Sequence, residues 1–156
     1  MLTQQVNQKL DHAWIESHIP HQGSMCLLSN VLAWDQEKIT CLADSHRTPD
    51  NPLRAHGKLG ISCGIEYAAQ AMAVHGALLA PADSETPKVG YLVSVRGVTM
   101  AVTRLDDIVS DLLITAVCIM ASESNMLYQF TVSADDKLLL EGRAAVVLDA
   151  DALAIK

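Results

Sequence analysis

The sequence predicts an α+β fold in which an antiparallel sheet wraps one long central helix. Three observations carry this. The apolar residues between Gly64 and Leu79 (Ile65, Ala68, Ala69, Met72, Ala73, Gly76, Ala77 and Leu79) recur at spacings of three and four, the period of a helix face. Two β-rich runs precede that segment and four follow it. The turns joining the later runs are too short for parallel crossovers, so neighbouring strands must run antiparallel.

In chain order, Asp11 to His18 has a short helical pattern anchored by Trp14 and Ile15, and Pro20 stops it. CLLSNVLAW and ITCLADSH are two strand candidates, placing strand within about 26–46, with Asp35 to Lys38 turning between them as a hairpin. Pro49, Asp50, Asn51 and Pro52 then break the extended chain and deliver it to the helix, expected over about 62–80. PADSETPK, with two prolines and two acids, reads as an exposed connection. Four strands are expected within about 89–150: VGYLVSVRGVTMAV, DIVSDLLITAVCIMAS, NMLYQFTVSA and KLLLEGRAAVVLDA, separated at TRLDD, SESN and DDK. Their nearly continuous apolar character implies cover on both faces, one from the helix and one from flanking segments or a second subunit. With no repeat or composition break, residues 1–156 read as a single domain.

Composition narrows the function. A net charge of −7 without a basic stripe argues against nucleic-acid binding. Cys26, Cys41, Cys63 and Cys118 are widely spaced, so neither a metal site nor a redox pair is expected, and they read as small buried hydrophobes. The first twelve residues lack an apolar signal core and no run approaches the roughly 20 residues of a membrane span. The expected location is the cytoplasm, with no membrane association. A one-sided sheet of this size leaves an edge and apolar surface uncovered, which points to a homodimer or a higher assembly of dimers.

The start of the central helix concentrates the chemistry. Glu66 is its one carboxylate, and Gln70, one turn on, shares its stripe and can orient it. Backbone N–H groups near Gly60 to Gly64 lack earlier helical carbonyls and could meet developing negative charge. The glycines would let a ligand approach the backbone.

Three pieces resemble the 3-hydroxyacyl-carrier-protein dehydratases of fatty acid synthesis and the related aryl polyene pathways, which have the hotdog fold. IPHQGSMCLLSNVL, Ile19 to Leu32, is similar to the family's PHRxPxLLxDRVL opening, with Gln22 for Arg and Ser29-Asn30 for Asp-Arg. Glu66-Tyr67-Ala68-Ala69-Gln70 is similar to its ExxAQ helix motif, and the order of elements matches over essentially the whole chain. The likeness implies dehydration of 3-hydroxyacyl thioesters to trans-2-enoyl thioesters. The substrate is carried on the phosphopantetheine arm of acyl carrier protein, and the enzyme needs no cofactor of its own. It also implies a histidine base and a carboxyl acid, contributed in the family by different subunits of a dimer.

The chain departs from the family in lacking its GHFPG loop, so the histidine is a choice among three. Aligning Pro52 with the family's preceding proline puts His56, in RAHG, nearest the expected place. His21 and His46 are the other candidates. Dehydration needs a base for the weakly acidic C2 proton and an acid for the C3 hydroxyl. Histidine titrates near working pH, and burial of Glu66 would favour its protonated form for the second role. His75 lies on another side of the helix from Glu66, and His12 and His18 read as surface. Substrate contacts are expected from Gly60, Gly64, Gln70, His46 and Arg54, with Arg47, Arg54 and Lys58 forming a positive rim for an acidic carrier. Two other functions fit the residues: a thioesterase, in which the helix carboxylate activates water, and a non-catalytic acyl-binding partner subunit.

Overall fold

A computed structural model describes residues 10–80 and 90–148. The expected connection at PADSETPK and the reading of the first nine residues lie outside them. Asp11 opens α1 (His12–His18) by accepting the Trp14 N–H on Oδ1 at 3.0 Å, and extended Ile19, followed by Pro20, closes it. Its anchor is Ile15, which is fully buried, while Trp14 is half-buried and stacks on His18.

Strands β1 (Asn30–Trp34) and β2 (Lys38–Ala43) form the expected hairpin, closed by Asp35 Oδ1, which accepts from the N–H groups of Glu37 and Lys38. The strand candidate at CLLSNVLAW is shorter than its sequence suggests. Leu27 and Leu28 are buried, but side chains rather than a neighbouring strand take their backbone groups: Gln70 accepts the Leu27 N–H, Ser45 donates to the Leu27 carbonyl and His12 to that of Leu28. Side-chain partners satisfy this backbone without a ladder. At the other end, strand stops at Ala43 and a 3-10 turn, Ser45–Arg47, follows.

A second 3-10 turn, Ile61–Cys63, leads into α2 (Gly64–Leu79). Its buried face overlaps the predicted stripe only in part: Ala68 and Met72 are buried as expected, but so are Tyr67, Gln70, Ala71, Val74 and His75, whereas Ile65, Ala69, Ala73 and Ala77 are only partly so. The polar members of the buried face are there because each finds a hydrogen-bond partner inside.

Four strands complete the sheet: β3 (Gly90–Met100), β4 (Leu112–Ala121), β5 (Asn125–Ala134) and β6 (Lys137–Leu148). The order is β1-β2-β4-β5-β6-β3, antiparallel throughout. Only β4–β5 and β5–β6 are hairpins among these last four. The chain between β3 and β4 instead crosses the approach to α2, where Ile61 donates to Thr103 O and Leu105 to Leu59 O. The inner face of the sheet, with Leu112, Ile114, Phe130, Val132, Leu140 and Ala144, is buried with the inner side of α2 in one core. Gly64 allows this close approach, since a Cβ there would stand 2.6 Å from Leu140 Cδ2. Along β1, Val31 donates to Leu10 O, so that edge is covered, whereas β3 pairs only with β6 among the described residues.

Candidate active site

The segment between α1 and β1, which carries His21, lies against the first turns of α2. His21 Nε2 stands 3.1 Å from Glu66 Oε2, with the two side chains 27% and 33% exposed, so the pair is sheltered yet reachable. The second donor to the same oxygen is Gln70 Nε2 at 3.0 Å. Gln70 is fully buried and spends its whole amide here, donating also to Met25 O at 2.8 Å and accepting the Leu27 N–H at 2.9 Å. The predicted one-turn pairing of Glu66 and Gln70 is therefore present, and the same glutamine fastens the His21 segment to the helix.

Two donors on one carboxylate oxygen decide its charge. The hydrogen bond from His21 holds the Glu66 carboxyl below its ordinary range; burial opposes this, and the bond from Gln70 adds to the lowering. The expectation that burial would keep Glu66 protonated is overturned here, because its buried side is lined with donors. An ionised Glu66 requires the proton of the contact to sit on His21 Nε2. In a neutral imidazole the lone pair is then on Nδ1, which is buried and has no hydrogen-bond partner.

The other histidines are placed differently. His56 is exposed at φ 55 in the tight turn between Ala55 and Lys58, and no described hydrogen bond or ion pair joins it to Glu66. His46 is buried, with Nε2 3.0 Å from Ile108 O, which ties the approach loop to the β3–β4 connection. His75 is also buried, held between Tyr128 Oη (2.7 Å) and Asp35 O (2.8 Å) away from Glu66. His12 and His18 are exposed.

Several expected substrate contacts have internal occupations. Arg54 braces its own loop through Thr48 O, Gly57 O and His46 O, and Arg47 bonds Val109 O and Asp111, so neither guanidinium is free to form a rim. Gly64 is buried under Leu140, while Gly60 is open where a Cβ would stand. The donors around Gly60 to Gly64 are mostly spent: Ile61 N–H goes to Thr103 O, Cys63 N–H to Gly60 O and Gly64 N–H to Ile61 O and Ser62 O. Asp106 further pins this stretch by accepting the Leu59 N–H, and Arg104 beside it holds the Asp106 carboxyl well below the usual carboxylate range.

A hollow of about 170 Å³ lies behind the His21 segment, lined by His12, Ser24, Cys26, Ser45, Asn51 and neighbours. A larger one of about 290 Å³, lined by Arg96, Gln129, Glu141 and Arg143, contains neither Glu66 nor a histidine, so the acid–base geometry and not cavity size marks the site. All four cysteines are free, and burial pushes the Cys41 thiol up to about 12. No group of three or more metal-ligating side chains occurs among the described residues. No described helix is long and apolar enough to cross a membrane.

Comparison with known proteins agrees with the fold. A family model described as ApeP-like, ApeP dehydratase, matches residues 13–155. Among solved structures, a chain of the dehydratase heterocomplex ApeI:P from Xenorhabdus doucetiae superposes with a TM-score of 0.75 at 22% identity, covering 88% of this chain and 92% of that one. A mutant of thioesterase PA1618 from Pseudomonas aeruginosa gives 0.60 at 16% identity, covering 91% and 97%. Zebra fish thioesterase superfamily member 2 gives 0.59 at 17%, covering 88% and 94%. These likenesses establish the hotdog fold. Among curated proteins none matches.

Proposed function

The chain belongs to the ApeP-like dehydratase family, and on that premise we propose that it converts 3-hydroxyacyl thioesters to trans-2-enoyl thioesters in aryl polyene-type or fatty acid synthesis. The substrate is borne on the phosphopantetheine arm of an acyl carrier protein. The observation that carries the reading is the 3.1 Å contact of His21 Nε2 with Glu66 Oε2, which leaves Nδ1 without a partner.

In this reading Glu66 is the counter-charge and orienter, and His21 moves the proton. Substrate binding must first shift the His21 segment enough to uncover Nδ1, which is buried in the free chain. The neutral imidazole then takes the C2 proton on Nδ1, and the C–H electron pair moves toward the thioester carbonyl. The adjacent carboxylate stabilises the imidazolium that forms. The same Nδ1–H then protonates the C3 hydroxyl. The C3–O bond breaks, the C2=C3 double bond closes, and water leaves with imidazole restored. One group serving as base and then acid fits a site in which Glu66 is ionised.

A thioesterase reading is favoured by one feature: Glu66 Oε1 has no described partner, and an ionised carboxylate could use it to activate water. A synthetic 3-hydroxyacyl pantetheine thioester separates the two. Dehydration gives growing enoyl-thioester absorbance with no free thiol, whereas thiol release without enoyl product would replace the proposal with hydrolysis.

The unpaired β3 edge, with Tyr91, Leu92 and Val93 exposed, is where a second subunit would add a strand. A second copy of this chain is the proposed occupant. The acidic carrier would meet Arg96 and Arg143, the two described arginines whose guanidinium makes no hydrogen bond or ion pair.

A further inference from the structure

His21 sits on a segment that no strand supports, so something else must fix its position. Gln70 holds that segment from the α2 side through Met25 O and the Leu27 N–H. From the opposite side, Ser45 Oγ donates to Leu27 O at 2.8 Å, so the peptide units on both sides of the Leu27 Cα are gripped. Ser45 has one hydroxyl proton, and a carbonyl can only accept it. The 2.8 Å contact between Ser45 Oγ and Tyr67 Oη must therefore be donated by the tyrosine. Asn51 Nδ2 in turn donates to Tyr67 Oη at 3.2 Å and to Ser45 O at 2.9 Å, and Asn51 Oδ1 accepts the Leu53 N–H at 2.8 Å.

Donors thus follow one direction: Asn51 to Tyr67, Tyr67 to Ser45, Ser45 to the Leu27 carbonyl. The Leu27 N–H goes to Gln70, and Gln70 to Glu66. Tyr67 is fully buried and Asn51 is 5% exposed, so these bonds form out of water, where a missing partner is costly. A phenylalanine ring would fill the same space in the core. The hydroxyl is what the packing does not require.

We infer that Tyr67 is a positioning residue: through Ser45 its hydroxyl sets the His21 segment, and with it the register of the imidazole on Glu66. The inference rests on the reading of His21 and Glu66 as the acid–base pair. It adds to that pair a three-residue support of Tyr67, Ser45 and Asn51, drawn from α2 and from the approach loop.

The test uses Tyr67→Phe, Ser45→Ala and Ser45→Thr in the full chain. Turnover of the pantetheine thioester is measured per folded molecule, and the His21 ring is titrated by NMR. The expected result for Tyr67→Phe and Ser45→Ala is a kcat lower by about 10- to 100-fold with KM within about twofold, the scale set by small displacements of a reacting group. The His21 titration midpoint also moves, and Ser45→Thr, which keeps a hydroxyl, restores both. Unchanged kcat and an unmoved His21 midpoint in Tyr67→Phe, with only the unfolding temperature lowered, would overturn the inference and leave Tyr67 as packing. If the wild-type chain does not dehydrate the thioester, the proposed function fails, but the His21 titration still decides whether Tyr67 positions the ring.

Discussion

Buried His75 has its tautomer set by its neighbours. Asp35 O can only accept, so Nε2 carries the proton, and Nδ1 accepts from Tyr128 Oη. Desolvation lowers its pKa from the ordinary 6.5, against the raising effect of the Asp35 carbonyl. The folded chain therefore binds fewer protons than the unfolded chain below pH 6.5. Stability is fully present above that value and declines as pH falls toward the lowered folded value, at up to about 1.4 kcal/mol per pH unit. Glu66, also lowered, adds a second loss further down, beginning below its ordinary 4.5. Unfolding temperatures measured from pH 7.5 to 3 should fall in two stages; buried His46, also lowered by desolvation, shares the upper one, so His75→Gln should reduce it, and an upper stage unaltered in that variant contradicts the assignment. At this scale the sequence was legible where contacts are local. Glu66 and Gln70 lie one helical turn apart, so their pairing follows from helix geometry. His21 reaches Glu66 only through the fold of the α1–β1 segment, which nothing local in PHQGSM specifies, and motif alignment put His56 first. Tyr67, Ser45 and Asn51 were not singled out, although a tyrosine on a buried helix face signals that its hydroxyl has a partner.

Among the described strands, β3 is the one with no buried residue. It is 11 residues long, bonded on one side only, with Leu92 and Val93 40% and 47% exposed. A long apolar edge of this kind associates. Analytical ultracentrifugation of the wild type should give twice the 16.8 kDa chain mass. Val93→Lys, which places a charge on the edge, should give the single chain; a wild type that sediments as a monomer removes the second-copy reading. Strands from β3 onward are readable because each carries a run of aliphatic, aromatic or β-branched residues ended by turn residues, although β4 starts at Leu112, five residues into its run. The start of β1 is not, since Cys26 to Leu28 is as apolar as a strand but the backbone of Leu27 and Leu28 is held by side chains. The buried face of α2 is only partly encoded in its apolar residues. The apolar spacing finds Ala68 and Met72 but also the partly covered Ile65, Ala69, Ala73 and Ala77, and it passes over Tyr67, Gln70 and His75, whose polar atoms are satisfied internally.

For the molecule as a whole, composition and element order sufficed for a sheet wrapped on one helix, but not for the order of its strands. Insertion of β2 beside β4 and of β3 beside β6 brings together residues far apart in the chain, and no turn sequence encodes that. What the topology achieves is to stand the α1–β1 segment against the start of α2, so that an imidazole and a carboxylate meet within one chain. The central claim is that this pair performs dehydration. Its most direct measurement compares enoyl-thioester formation from a 3-hydroxyacyl thioester by the wild type, His21→Ala and His56→Ala at pH 7.5. The account predicts a loss of about 10²- to 10⁴-fold in His21→Ala and a rate within about twofold of wild type in His56→Ala. Undiminished turnover in His21→Ala, with the loss falling on His56→Ala, would contradict it.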